Sequence, residues 1–246
     1  DDRYGRSIRV KVNVADVLAR ELARPSWSGE QIVIGAATDP YQPAEGRYRL
    51  TRACIEVLAR ARSPFEIITR GPLIFRDVDV LQEASRRTDV SVMVSVPTLD
   101  PEVWRTTEPG TAPPRQRLRA LSTLVNAGIK TGVAMAPILP GLSDRPAQLA
   151  EVVKAVRAAG ATSVWANLLY LKPGTKEHFL EALARDWPEE LERYQQLYVK
   201  SAYLPHAEVD PVREQVRALA REHRVRDRRR QPLKPPPEPV QLMLRV

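Results

Sequence analysis

Ile32-Val33-Ile34-Gly35-Ala36-Ala37-Thr38-Asp39-Pro40-Tyr41-Gln42-Pro43 opens as an apolar, β-branched run and breaks abruptly into polar groups and prolines. A run of this kind suits a buried strand, and parallel α/β folds collect their binding and catalytic groups at strand ends. The pattern recurs downstream: Phe65-Glu66-Ile67-Ile68 leads into Thr69-Arg70-Gly71, and Val92-Met93-Val94 leads into Ser95-Val96-Pro97-Thr98. Several strands are therefore expected to aim polar tips at one place.

Working outward, apolar β-branched runs alternate with amphipathic stretches about every thirty residues, the rhythm of successive βα units. Helices are expected over Val14 to Ala23, Leu50 to Ala61, Phe75 to Arg87, Arg115 to Asn126 and Ala147 to Ala159. Strands are expected over Gln31 to Ala37, Phe65 to Thr69, Val90 to Val96, Thr131 to Ile138 and Ser163 to Leu171. Near-continuous apolar strands indicate a parallel sheet covered on both faces, wound in one direction by right-handed crossovers. Polar tips after every strand favour an α/β partial barrel over an open sheet with a single switch point. Ser7 to Val12 feeds the first helix, so the first strand of such a barrel is expected to be absent.

Beyond about Lys176 the texture changes to charged helices, Glu177 to Trp187, Glu189 to Ser201 and Pro211 to Arg224, with Pro205 and Pro211 read as breaks. These are expected to cap the same domain. The expected organisation is thus a partial barrel over 7–175, a helical cap over 176–223, and a basic, proline-rich tail of poor order over 224–246.

The chain has 246 residues, 43% of them hydrophobic, enough for one barrel with one core or for two small domains. No stretch approaches the roughly 18 consecutive apolar residues of a membrane span, and no signal-peptide core follows the charged N-terminus. A cytoplasmic protein without membrane partners is the expectation. The formal charge of +8 suggests a nucleic-acid partner until it is located, because residues 224–246 carry seven basic side chains against two acidic ones and so hold +5 of it. Such a tail could touch phosphates, or could simply be a solvated terminus. Cys54 is the single cysteine, and His178, His206 and His223 show no ligand spacing, so no metal site is expected from these residues.

Four strand-end motifs together carry a family resemblance: Thr38-Asp39-Pro40-Tyr41-Gln42-Pro43-Ala44-Glu45, Ile67-Ile68-Thr69-Arg70, Val94-Ser95-Val96-Pro97-Thr98-Leu99-Asp100, and Ala136-Pro137-Ile138-Leu139-Pro140-Gly141-Leu142-Ser143-Asp144. Their order and spacing from about Ser7 to about His223 resemble the spore photoproduct lyase-like branch of the radical S-adenosylmethionine enzymes. The resemblance implies a partial (β/α)6 barrel, here lacking its first strand, that binds S-adenosyl-L-methionine beside a 4Fe-4S cluster. It further implies that a reductant supplies one electron, that the cofactor is cleaved to a 5′-deoxyadenosyl radical, and that this radical takes hydrogen from a substrate the sequence does not name, nucleic acid included. Family members hold the cluster with three cysteines in a C-x3-C-x2-C loop. That loop is missing here, which implies either a fragment whose cluster ligands lie upstream of residue 1, inactive alone, or a degenerate, non-catalytic barrel that binds nucleic acid through its basic tail.

The same resemblance assigns cofactor-binding roles. Arg70 is expected to pair with the cofactor carboxylate, where family members often carry lysine, and Ser95 to donate to the same carboxylate. Thr38 and Asp39 match the position that contacts the cofactor's amino group. Pro137 and Ile138 would offer apolar backbone to the adenine, with Asn167 closing the opposite side. Asp39 before Pro40 could instead shape a turn, and Ser95 could satisfy its own turn. The second strand's tip, Gly35-Ala36-Ala37, lacks the thiol that returns hydrogen to the product radical in the DNA-repair lyase, which argues against thymine-dimer repair. Glu108, Arg115 and Arg117, around the proline-rich loop, receive no role.

Overall fold

A computed structural model describes residues 8–235. Five parallel strands in the order β1-β2-β3-β4-β5 form one sheet: β1 (Ile32–Ile34), β2 (Phe65–Thr69), β3 (Val90–Ser95), β4 (Lys130–Ile138) and β5 (Val164–Leu168). Sequential parallel neighbours joined by helices are the topology of a partial (β/α) barrel. No strand precedes β1 among the described residues, and the first residue of the segment Ser7 to Val12 lies outside them.

The helices are α1 (Val14–Leu22), the short α2 (Glu45–Tyr48), α3 (Leu50–Ala61), α4 (Val78–Ser85), α5 (Pro101–Thr107), α6 (Pro114–Asn126), α7 (Pro146–Ala158), α8 (Thr175–Asp186), α9 (Leu191–Leu197) and α10 (His206–Glu222). Proline at the first helical position starts α5, α6 and α7, where its missing N–H breaks no intrahelical bond. Asp100 also caps α5, its carboxylate accepting from the backbone N–H of Glu102 at 2.8 Å. At the other end of α6, Gly128 takes a φ of +86°, a conformation that costs glycine nothing.

The core lies between the sheet and these helices. Phe65 and Ile67 of β2, Val92 of β3 and Val133 of β4 face Leu58, Leu81, Leu121 and Leu124, all fully buried. Removing each such side chain from water contributes roughly 1.5–3 kcal/mol. On the other face the alternate residues differ: Val33 is 44% and Trp165 42% exposed. Cover on both faces was expected, but the inner face is open at the two outer strands, so period-two apolarity marks the helix side alone. The same buried cluster continues into the later helices through Leu183, Tyr194, Tyr198, Val209 and Val216.

Two expected elements are corrected. Phe75 to Arg87 is not one helix: Pro72–Asp77 forms a 3-10 turn and α4 starts at Val78. The fully buried Asp77 is pinned there by the Tyr41 hydroxyl at 3.1 Å and Arg76 Nε at 3.0 Å, leaving Phe75 at the surface. Nor does Pro211 break a helix, because α10 runs through it. Burial of Val209 and Val216 on either side outweighs the one hydrogen bond a proline removes.

Poor order was expected for the tail, but its first part is docked. Arg229 Nη1 donates to the Gly128 carbonyl at 2.7 Å while its Nη2 pairs with Asp227 at 2.6 Å, and the Leu233 N–H donates to the same carbonyl at 3.2 Å. Residues 236–246, including most of Pro235-Pro236-Pro237, lie outside the described part. No described helix is long and apolar enough to cross a membrane.

Candidate functional site

The loop after β1 is tied to the end of β2 by one carboxylate. Asp39 Oδ1 accepts from the Tyr41 N–H at 2.8 Å and the Thr69 hydroxyl at 2.7 Å, and Oδ2 accepts from the Arg70 N–H at 2.7 Å. Thr51 Oγ1 fastens the next residue by donating to the Pro40 carbonyl at 2.8 Å. Glu45 then accepts from the N–H groups of Leu50 and Thr51 at 2.9 and 3.1 Å, satisfying donors that the start of α3 would otherwise leave unpaired. Burial, and then Asp77 beside it, hold the Tyr41 phenol well above its ordinary pKa, so it stays a neutral donor.

Ser95, at the end of β3, is 5% exposed, and its hydroxyl donates to the Ala136 carbonyl at 2.9 Å. That carbonyl lies where the β4–β5 register shifts between Met135 and Ile138. Pro137 explains the interruption, since proline has no N–H to give a ladder.

Between these tips lies a cavity of about 520 Å³, within the range of small-molecule sites. Gly35, Ala36, Ala37, Ala134 and Ala136 keep it open by having almost no side chain, and Thr38, Asp39, Arg70 and Ser95 stand around it. Four of the seven expected site residues, from three successive strand ends, thus line one cavity. Pro137 lines a smaller adjoining hollow of about 130 Å³, which Arg70 also borders.

The remaining two fall elsewhere. Ile138 is fully buried, its carbonyl accepts from the Leu169 N–H at 3.0 Å, and it lines neither of these cavities. Asn167 lines a separate hollow with Tyr203, His206 and Arg213, and its Oδ1 accepts from Arg213 Nη2 at 2.8 Å. Packing of α10 against β5 takes this amide away from the main cavity. Trp165, two residues earlier on β5, is the aromatic side chain that does line that cavity. The alternation of β5 carried a signal for it, because Val164, Ala166 and Leu168 claim the helix side.

Thr69 was also missed as part of the strap. So was the anchor behind Arg70: Arg70 Nη1 lies 3.5 Å from Glu108 Oε1, and Glu108 Oε2 accepts from Arg117 Nη2. The fully buried Arg117 donates further to the Ser95 carbonyl at 3.1 Å, the Ala112 carbonyl at 2.8 Å and the Thr111 hydroxyl at 2.9 Å.

The fit to the two expected cofactors is unequal. A cavity with a guanidinium, hydroxyls, small apolar walls and an indole suits a ligand with an amino-acid end and a nucleoside end. The cluster has no such match. Cys54 is 9% exposed on α3, where burial first and Glu45 second push its thiol up to about 11, so it is not a thiolate at neutral pH. Among the described residues no group of three or more His, Cys, Asp or Glu could hold a metal ion. The residues of this chain do not fit a three-thiolate iron–sulfur site.

Residues 3–153 match the family model described as the Radical SAM superfamily. An uncharacterized protein of Mycobacterium tuberculosis is 40% identical over 222 residues, covering 90% of this chain and 65% of that protein. Another, from Methanocaldococcus jannaschii, is 25% identical over 193 residues, covering 77% of this chain and 67% of that protein. This chain therefore spans 65% of the length of the mycobacterial relative. Among solved structures, a spore photoproduct lyase mutant with bound AdoMet and dinucleoside spore photoproduct superposes with a TM-score of 0.63 at 16% identity, over 87% of this chain and 65% of the other. Likeness at that identity is likeness of fold. With the family model covering more than half of its residues, the chain belongs to the Radical SAM superfamily.

Proposed function

We propose that this chain is the S-adenosylmethionine-binding barrel of a longer radical S-adenosylmethionine enzyme. The observation that carries the reading is the meeting of Thr38, Asp39, Arg70 and Ser95 around one cavity of about 520 Å³. Membership of the superfamily and the AdoMet bound in a protein of the same fold support it. With one cysteine in 246 residues, the cluster's thiolates are proposed to come from sequence outside this chain. Bound in such a protein, S-adenosylmethionine supplies hydrogen-abstracting radical chemistry once an electron is delivered.

The residues of this chain bind and orient. Arg70 presents a permanent cation in a planar fork to the carboxylate of the ligand. Ser95 plays a different part from the expected one: its proton already goes to Ala136, so its oxygen meets the ligand as an acceptor. Asp39 has three donors on its two oxygens and acts first as a strap that holds the tips together. Trp165 replaces Ile138 and Asn167 as the apolar surface for the nucleoside end. Arg70→Ala in the full-length protein is expected to raise the dissociation constant for S-adenosylmethionine about tenfold, the worth of one charge-assisted contact. Equilibrium dialysis reads the affinity and the cluster absorbance controls for integrity; unchanged affinity rejects the assignment.

Binding of nucleic acid by the tail rests on a separate observation. Arg224, Arg226 and Arg228 are exposed, and Arg228 stands near enough to Arg157, Arg224 and Arg226 for their like charges to repel. Such a cluster favours a polyanion that would relieve the repulsion. Arg229, spent on Asp227 and Gly128, takes no part. Reversing Arg224, Arg226 and Arg228 to glutamate is expected to abolish a salt-sensitive gel shift with single-stranded DNA. A shift that survives the reversal removes the tail from consideration.

A further inference from the structure

We infer that Glu108 is a positioning residue for Arg70, held in place for that purpose by Arg117. The inference rests on the reading of Arg70 as partner of the ligand's carboxylate, and deepens it. Arg70 is the one long, flexible side chain among the four polar tips, and its side chain is 37% exposed. Left free, it would lose rotamer entropy on closing over a ligand; held beforehand, it would not. Glu108 does the holding from a side chain only 8% exposed, its Oε1 lying 3.5 Å from Arg70 Nη1.

The charges show why a second arginine is needed. A lone Glu108 would cancel Arg70 and compete with an incoming carboxylate for it. Arg117 takes up that charge from the buried side, through its contact with Oε2. Two guanidinium groups then share one carboxylate, and a net positive charge remains toward the cavity. Arg117 cannot itself reach a ligand, being fully buried and further bonded to the carbonyls of Ala112 and Ser95 and to the Thr111 hydroxyl. Its bond to the Ser95 carbonyl makes the same anchor fix the ends of β2 and β3 relative to each other. The chain Arg117, Glu108, Arg70 thus runs from α6 through the end of α5 to the strand tip.

The test compares two ligands on the full-length protein: S-adenosylhomocysteine, which has the amino-acid end, and 5′-methylthioadenosine, which lacks it. Glu108→Ala is expected to weaken S-adenosylhomocysteine about tenfold, through lost preorganisation of Arg70, and to leave 5′-methylthioadenosine within about twofold. An equal loss for both ligands, or a loss for neither, overturns the inference, since a merely structural glutamate would not tell the two apart. If Glu108→Ala loses its cooperative melt, the variant combining Glu108→Ala with Arg117→Met, which removes the stranded charge as well, is read against the same outcomes. Arg70→Ala is measured alongside. If it fails to discriminate the ligands, the carboxylate reading itself falls; if it discriminates and the Glu108 variant does not, only the positioning role falls.

Discussion

Replacing Arg117 with methionine is expected to destabilise the protein by about 3–5 kcal/mol, the range found when one partner of a buried ion pair is removed. Methionine matches the unbranched stem of arginine and refills most of its volume, so the loss is electrostatic rather than a cavity effect. Four hydrogen bonds disappear with the guanidinium: those to Glu108, to the Ala112 and Ser95 carbonyls, and to Thr111. Glu108 is the costly remnant, buried and left with Arg70 at 3.5 Å as its remaining ionic partner. Urea unfolding measures the difference, and a change in midpoint at constant slope assigns it to the native state.

The remnant gives the prediction its internal check. Adding Glu108→Ala to Arg117→Met removes the stranded carboxylate, so the double variant is expected to be more stable than Arg117→Met alone by about 1–2 kcal/mol, which makes the coupling between the two sites at least that large when Glu108→Ala alone is destabilising. A double variant as unstable as the sum of the singles would mean that Arg117 matters for its carbonyl contacts instead. The work of α6 would then be to hold backbone, and Glu108 would stand outside the network.

The way sequence spoke for this site follows from what each residue depends on. Thr38, Arg70 and Ser95 were legible because each stands at the end of a strand that local apolarity delimits; strand ends in a parallel sheet share one side of the fold. Asp39 was legible as a position but not as a strap, since its partners Thr69 and Arg70 lie about thirty residues away in sequence. Asn167 misled for a similar reason. Its place on β5 was read correctly, and it shares the face of Trp165, but its amide oxygen is taken up by Arg213 on α10, 46 residues later. Arg117 looked like one charge among many in an arginine-rich chain. Nothing local marks an arginine as fully buried; that depends on α5, α6 and the end of β3 meeting around it. The docked part of the tail belongs to the same class, because composition alone reports disorder and cannot see the carbonyl of Gly128 that Arg229 and Leu233 share.

Gly35→Ala is expected to cost about 2–6 kcal/mol, from two causes that add at one backbone position. The first is conformational: Gly35 has a φ of +98°, where an L side chain is strained by about 1–3 kcal/mol. The second is steric. A methyl group at Gly35 would press well inside van der Waals contact on the Ile68 carbonyl and stand 2.9 Å from Pro40 Cδ. Neither neighbour can give way, because Ile68 belongs to β2 and Pro40 is held by the bond from Thr51 to its carbonyl. Overpacking of this kind costs roughly a further 1–3 kcal/mol. Gly46→Ala is the matched control: it lies in α2 with nothing within 4 Å of the added methyl, and is expected to be neutral or stabilising by up to about 1 kcal/mol. Urea unfolding of the two variants side by side separates the site from the residue type, and a Gly35→Ala loss below about 1 kcal/mol would refute the strain argument. What the glycine permits is the abrupt change at the end of β1 that brings Thr38 and Asp39 back over β2. An alanine there must push the loop away from Ile68, which would lengthen the bonds from Thr69 and Arg70 to Asp39 and open the cavity they border. Ligand binding should therefore fall in the same variant even under conditions where it remains folded.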